Sequence, residues 1–365
     1  AVLGTRGFPG VQGGVEAHCQ NLYPKLVKSG CEITVFGRAP YLKNENSPYF
    51  YEGVKIVPLT CPRNKFLEAI VHTFKGVFQA KKLNPDVLHI HAVGPALMAP
   101  FARMLGLKVV FTHHGPDYER KKWGLCAKLS LRMGEFLGVK FANEVIAISQ
   151  VIADEIKAKY GREATVVPNG VVMPELAEGD ETLKKYGLGK ERYLLAVGRF
   201  VPEKGFHDLV AAFSLAHSKD YKLVIAGDAD HEDKYSLSLK EKVKANPNIV
   251  LTGFVSGEPL RELYSHAGLF ILPSYYEGLP IALLEAMSYG LSCIVSDIPA
   301  NREVGLSDDR YFKPGDIEQL KLKIAEYINK PLSKSEKESQ LARISQKYNW
   351  ERIAEETLRV YEKCV

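Results

Sequence analysis

The sequence predicts an α/β protein of two doubly wound parallel sheets facing each other across a cleft. Three observations predict it. The chain has 365 residues, enough for two domains with cores of their own. Short apolar runs alternate with longer amphipathic stretches along its whole length. Midway, Val166-Val-Pro-Asn-Gly-Val-Val172 places turn chemistry at Pro168-Asn169-Gly170 between two such series. The expected domains are 1–170 and 171–347, with a C-terminal helix over about 348–365 packing back on the first.

In chain order, Ala1–Leu3, Ile33–Phe36, Val87–Ile90, Val109–Thr112 and Val145–Ile148 are expected as buried strands. Between them Glu16–Lys28, Phe66–Lys82, Pro95–Leu105 and Ser149–Tyr160 are expected as helices. The second series gives strands at Leu194–Val197, Leu223–Ala226, Ile249–Leu251, Leu269–Leu272 and Cys293–Val295. Trp350–Cys364 is amphipathic. Open α/β sheets bind ligands at the carboxyl ends of their strands, which directs attention to the segments that follow them.

Composition narrows the class. Hydrophobic content of 46% and charged content of 25% are ordinary globular values. No apolar run approaches the roughly 18–20 residues that span a bilayer. The opening Ala1-Val-Leu-Gly4 falls inside an expected strand, which leaves room for preceding residues or a removed leader. Cys19, Cys31, Cys61, Cys126, Cys293 and Cys364 are scattered without a Cys-x-x-Cys pair, which argues for a reducing cytoplasm and against structural zinc. Residues 1–170 hold 22 Lys and Arg against 13 Asp and Glu, and the remainder 26 against 30. A basic first half suggests an acidic or membrane-surface partner, at the inner face of a membrane. Nucleic acid is disfavoured, since the sequence has no zinc finger, RNP-type motif or long basic helix.

The richest segment is Ser274-Tyr-Tyr-Glu-Gly-Leu-Pro-Ile-Ala-Leu-Leu-Glu285, after the expected strand Leu269–Leu272. Ile281, Leu284, Ala286 and Met287 recur at helical spacing, with Pro280 suited to the first turn. Glu277 then lies in a strand-to-helix loop, with Glu285 further along the helix on the same side. The amides of Gly278, Leu279 and the following turn favour an anion. Carboxylates beside an anion site suggest a sugar phosphate or nucleotide sugar. Val197-Gly-Arg-Phe-Val-Pro-Glu-Lys-Gly205 sets Arg199 and Lys204 on one loop, two cations suited to a departing diphosphate. The loop Gly4–Glu16 carries Gly13 and Gly14 at a helix entry, where backbone amides can approach a phosphate. It fits Gly-x-Gly-x-x-Gly poorly, and no acidic residue ends Val35-Phe-Gly-Arg38, which disfavours NAD. Adjacent His113 and His114 lack metal-ligand spacing, so His114 is expected to bond a sugar hydroxyl. His89 and His91 are expected only to mark a strand end.

Together these residues resemble the retaining nucleotide-sugar glycosyltransferases of family 4, glycosyl transferases group 1, with two Rossmann-like domains in the GT-B fold. Gly198-Arg199…Lys204-Gly205, the Glu277/Glu285 pair and Pro168-Asn169-Gly170 carry the likeness. Gly4-Thr-Arg-Gly-Phe-Pro9 also resembles a rhamnosyltransferase subset. The resemblance implies that Arg199 and Lys204 bind the donor diphosphate and that Gly14 meets its distal phosphate. It also implies His114 near the transferred sugar, Glu277 on that sugar, Glu285 on the ribose and Val255 beside the base. Gly227-Asp228-Ala229-Asp230 departs from the family's Gly-x-Gly turn and receives no role.

The implied reaction moves a hexosyl group, with retention and without metal or other cofactor, from a nucleoside-diphosphate sugar. The acceptor is a saccharide or lipid-linked saccharide, in polysaccharide or glycan biosynthesis. Arg63-Asn-Lys-Phe-Leu67 and Arg120-Lys-Lys-Trp123 mix cations with apolar residues, as a membrane-facing patch would. The rival readings are a nucleotide-sugar epimerase and a degenerate sugar-nucleotide-binding subunit. A phosphorylase would need a pyridoxal lysine site that the sequence does not offer.

Overall fold

The protein is described from a computed structural model covering residues 1–62, 67–116, 118, 124–216, 220–229 and 232–365. It divides into two compact units, 1–170 with 348–365, and 171–347.

The first unit begins with β1 (Val2–Leu3), α1 (Gly14–Lys28), β2 (Thr34–Arg38), β3 (Tyr49–Tyr51), β4 (Val54–Leu59) and α2 (Leu67–Leu83). It continues through β5 (Leu88–His91), α3 (Ala99–Met104), β6 (Val109–His113), α4 (Leu125–Phe141), β7 (Glu144–Ala147), α5 (Gln150–Tyr160) and β8 (Thr165–Val166). The sheet order is β3-β4-β2-β1-β5-β6-β7-β8, parallel except for β3. β3 adds an antiparallel edge strand that the apolar runs of the sequence do not mark. β3 and β4 form a hairpin across Glu52 and Gly53, both at positive φ, 45° and 82°. Glu is an uncommon first residue for such a turn, so the usual Asn-Gly or Asp-Gly signal is absent. α4 carries exposed apolar residues as well as buried ones, which blurs its 3.6-residue period in the sequence. The single helix expected over Pro95–Leu105 is instead a 3-10 turn, Pro95–Met98, followed by α3. Pro100 near the start of α3 donates no ladder hydrogen bond, which accounts for the break. The expected helix start at Phe66 lies outside the described residues.

The second unit opens with α6 (Glu181–Tyr186), β9 (Tyr193–Val197), α7 (Phe206–Leu215), β10 (Lys222–Ala226), α8 (Lys234–Lys244), β11 (Ile249–Gly253) and α9 (Glu258–Ser265). It closes with β12 (Leu269–Leu272), α10 (Ile281–Ser288), β13 (Cys293–Ser296), α11 (Pro299–Val304), β14 (Tyr311–Phe312), α12 (Ile317–Tyr327) and α13 (Lys334–Lys347). Its sheet, β11-β10-β9-β12-β13-β14, is parallel throughout. Alternate residues Leu194, Ala196, Leu223, Ile225, Leu269 and Ile271 share one core with Phe206, Leu209 and Phe213 of α7 and Leu320 and Ile324 of α12.

The last helix, α14 (Trp350–Glu362), packs on α1 in the first unit. Its apolar stripe buries Trp350, Ile353, Ala354 and Val360. The Asn349 side chain caps it by accepting from the amides of Glu351 and Arg352 at 2.8 and 3.1 Å.

Candidate functional site

In the second unit the chain leaves β9 for β10 on one side and later fills β12 on the other. The switch point therefore lies between β9 and β12, and both loops that follow these strands carry expected site residues. Lys204 ends a 3-10 turn, Pro202–Lys204, and Gly205 follows at φ 66°. A Cβ on Gly205 would sit 2.1 Å from the Pro273 carbonyl oxygen, so glycine lets the two loops meet. Lys204 Nζ donates to Glu277 Oε1 at 2.6 Å, and Ser274 Oγ donates to the same oxygen at 2.6 Å. Both charged side chains are half-buried.

Further bonds hold this contact. The Ser296 hydroxyl donates to the Ser274 carbonyl, and Asn301 Nδ2 donates to the Ser296 carbonyl at 2.8 Å. The Tyr275 amide donates to the Glu203 carbonyl at 2.8 Å, and its hydroxyl to Asp208 Oδ2 at 2.5 Å. Ser274, Asn301 and Asp208 carry no local signal in the sequence, where single hydroxyl, amide and carboxylate residues are common. Arg199 is half-buried on the same β9 loop and is engaged in an interaction of its own.

Pro280 is not in the first turn of α10 but caps it from outside, at φ −81° and ψ 88°. Having no N–H, it contributes no amide to an anion. The first-turn amides of Ile281 and Ala282 belong instead with those of Gly278 and Leu279. Leu279 and Pro280 are buried, and Gly278 is half-buried. Glu285 lies in the second turn, where the Tyr264 hydroxyl donates to its Oε2 at 3.0 Å. Burial raises the Glu285 carboxyl to about 7, with the Tyr264 bond opposing the rise. Val255 is half-buried in the loop after β11. Gly227, at φ 140°, approaches the Gly198 carbonyl so closely that a Cβ would lie 2.0 Å from it.

In the first unit the switch point lies between β1 and β5. Gly4 has φ 100°, and a Cβ there would fall 2.1 Å from the His91 carbonyl oxygen. Gly13, at φ 150° and ψ 153°, precedes α1, and Gly14 is the first residue of that helix. A Cβ on Gly13 would lie 2.1 Å from Glu16 Oε2. Glu16 in turn accepts from the Arg6 amide at 3.0 Å and pairs with its Nε at 3.3 Å. The glycine loop is thus pinned to its helix by an ion pair.

His114 follows β6 and is half-buried. Its Nε2 lies 2.8 Å from Nδ1 of His91. His18 stands edge-on to His114 at 5.2 Å and bonds Asn169 Oδ1 through Nδ1 at 2.9 Å. Burial and neighbouring imidazoles hold His89, His91 and His114 well below the ordinary histidine range, and burial holds His18 at about 4. These rings are neutral. His89 and His91 are therefore more than the strand end the sequence suggested; alternation along β5 places both rings on the same face. Among the described residues, no group of three or more His, Cys, Asp or Glu could hold a metal ion. The basic segments 63–66 and 120–123, and Asp230, lie outside the described residues.

Two units of doubly wound sheet, with polar loops gathered at their switch points, define an α/β enzyme of the GT-B fold class. Glycosyltransferase Family 4 matches residues 12–173, and Glycosyl transferases group 1 matches 179–348. The chain belongs to this family of glycosyltransferases and is a hexosyltransferase. A glycosyltransferase of Methanocaldococcus jannaschii is 26% identical over 97% of this chain and 95% of its own. An Escherichia coli UDP-Gal:α-D-GlcNAc-diphosphoundecaprenol α-1,3-galactosyltransferase is 28% identical over 67% of this chain and 66% of its own. The crystal structure of Anabaena HepE in complex with UDP and glucose has a TM-score of 0.80 at 17% identity, covering 99% of each chain. That likeness establishes the fold.

Proposed function

We propose that the protein transfers a hexosyl group, with retention and without metal, from a nucleoside-diphosphate sugar to a saccharide or lipid-linked saccharide in glycan biosynthesis. The observation that carries this reading is the Lys204–Glu277 contact at the β9/β12 switch point, 2.6 Å long. A cation held there can follow negative charge as it grows on a leaving diphosphate. The C1–O bond to the diphosphate breaks as the acceptor oxygen bonds C1 from the same face. The acceptor's proton passes to the leaving phosphate oxygen. Arg199, Lys204 and the amides ahead of α10 bear the charge, while Gly14 meets the distal phosphate. Glu277, steadied by Ser274, orients the sugar, and His114 bonds one of its hydroxyls. Glu285 receives the ribose and Val255 flanks the base.

The galactosyltransferase relative supports a lipid-linked acceptor, since its name gives one for that protein. An apolar stripe supports membrane docking of the first unit. Leu125, Leu129, Met133 and Phe136 on α4 are 86%, 65%, 47% and 42% exposed, with Lys128 and Arg132 on the same helix. Cations beside an apolar face suit an anionic bilayer. No helix among the described residues is long and apolar enough to cross a membrane.

The test is thermal stabilisation by UDP, GDP, dTDP, ADP and NAD in the presence of EDTA. A ligand at 100 times its Kd stabilises by about 2.7 kcal/mol. One nucleoside diphosphate should raise Tm, and its hexose conjugate should then donate. A dTDP response would fit the rhamnosyl likeness of Gly4–Pro9. Lys204→Ala should lower turnover by roughly 100-fold or more. Response to NAD alone, or undiminished transfer by Lys204→Ala, overturns the reading. Donor conversion with no acceptor would turn it toward an epimerase.

A further inference from the structure

Beside Glu285, in the second unit, stands a buried phenol that the reaction scheme leaves unused. Glu285 lies on α10 and Tyr264 on α9, the helix that follows β11. The Tyr264 hydroxyl donates to Glu285 Oε2 at 3.0 Å. Among the described residues that is the carboxyl's one hydrogen bond. The Glu285 side chain is half-buried, and its Oε1 is not sealed from solvent. Tyr264 is only 1% exposed. Its ring packs on Phe270 of β12 and on Tyr289, with centroids 6.0 and 5.1 Å apart, which fixes where the hydroxyl points.

A carboxylate has no hydrogen to give, so the phenol donates to it. The phenol's other acceptor is the Ala282 carbonyl, at a long 3.4 Å. If the carboxyl takes up a proton and donates it to the phenol oxygen, the phenol hydrogen is left with that longer contact. The 3.0 Å bond therefore favours the anion, against the burial that disfavours it. Burial and the nearby Glu285 charge push the Tyr264 phenol well above its ordinary range, so it stays a donor. Around the pair, burial pushes Tyr289 and Cys293 up to about 12. Arg261 and Glu258 of α9 pair with each other at 2.7 Å, and Glu262 turns to the Thr182 amide at 2.6 Å. Glu285 is the group beside Tyr264 that changes charge near neutral pH.

We propose that Tyr264 is a positioning residue for the nucleotide: its hydroxyl engages Glu285 Oε2 and leaves Oε1 to accept from a ribose hydroxyl. Being enclosed, Tyr264 acts only through Glu285. This rests on the reading of Glu285 as the ribose contact, but the hold of Tyr264 on the carboxyl does not.

The test titrates full-length protein with carboxyl-labelled glutamate, without ligand, and Glu285→Gln assigns the Glu285 signal by its loss. Tyr264→Phe keeps the packed ring and removes only the hydroxyl. Its Glu285 midpoint should rise by about one pH unit, the scale of one hydrogen bond to a charged group. Calorimetry with UDP, GDP, dTDP and ADP in turn gives the second readout. For the nucleotide that binds, Tyr264→Phe should be about fivefold weaker than wild type at about pH 7. At about pH 8.5, where both proteins carry the anion, the two should agree within about twofold. An unchanged Glu285 midpoint overturns the proposal. So does an affinity ratio that is the same at both pH values, as a merely structural role would give. Should Tyr264→Phe not fold, 3-fluorotyrosine incorporated throughout keeps each hydroxyl and makes it a stronger donor. The Glu285 midpoint should then fall, and an unmoved midpoint overturns the proposal. Because the carboxyl titration needs no nucleotide, it can fail while hexosyl transfer stands. A shifted midpoint with silence from all four nucleotides would instead overturn the ribose contact.

Discussion

Glu285 is a carboxyl whose environment works against its charge, and that has two opposite consequences with pH. Its folded-state value of about 7 lies above the ordinary carboxyl range because burial disfavours the anion. Between the ordinary range and about 7 the folded chain therefore binds more protons here than the unfolded chain does. Glu285's contribution to stability is fully present at low pH and is lost as pH rises through that window. The proposed ribose contact runs the other way, since two hydroxyl donors prefer the carboxylate. Nucleotide affinity should rise with pH and level off near 7. Calorimetric Tm from pH 5 to 8 should fall more steeply for the wild type than for Glu285→Gln, which lacks the titration. Nucleotide affinity of the variant should be weaker and flat with pH. Parallel Tm curves for the two proteins would remove the buried titration from the account.

The contact that defines the donor loops depends on how two segments approach rather than on either alone. In the sequence Lys204 and Glu277 stand out separately, as a loop cation and a loop carboxylate. Their meeting was not legible, because 73 residues separate them and the approach is set by Gly205 against Pro273. Gly205→Ala places a side chain at φ 66° and 2.1 Å from a carbonyl oxygen. The left-handed backbone alone costs about 1–2 kcal/mol, and the clash adds to it. For a chain of 365 residues, at about 2.1 cal/mol/K of unfolding entropy per residue, roughly 2 kcal/mol corresponds to a Tm lower by about 3 °C. The variant should also bind the nucleoside diphosphate more weakly, as Lys204 and Glu277 part. Wild-type Tm and affinity in Gly205→Ala would show that the loops do not rely on this approach. The same limit hid the hydrogen bond between His89 Nδ1 and the Tyr361 hydroxyl, 272 residues apart. Regular elements were more legible: the central strands buried on both faces give continuous apolar runs, whereas the edge hairpin β3–β4 and the two-faced α4 do not.

Over the whole molecule, charge is divided unevenly between the two halves, and the basic half also carries the exposed apolar stripe of α4. Neither feature would hold a protein at a membrane by itself. Surface Lys and Arg contribute on the order of 1 kcal/mol each near an anionic leaflet, within a Debye length of roughly 8–10 Å. Apolar burial adds about 25 cal/mol per Å² and is insensitive to salt. Full-length protein should therefore sediment with vesicles of anionic lipid at low salt and be released progressively as salt is raised. Vesicles of neutral lipid should retain much less of it. Leu129→Glu, at the middle of the stripe, removes an exposed apolar contact and adds a repelled charge. Its sedimentation should fall several-fold at every salt concentration, while transfer to a water-soluble acceptor stays unchanged because α4 lies outside the proposed donor contacts. Equal sedimentation of wild type and Leu129→Glu would move the docking surface elsewhere. Absence of binding to anionic vesicles at low salt would leave the charge asymmetry without a membrane role, and would favour an acceptor taken from solution.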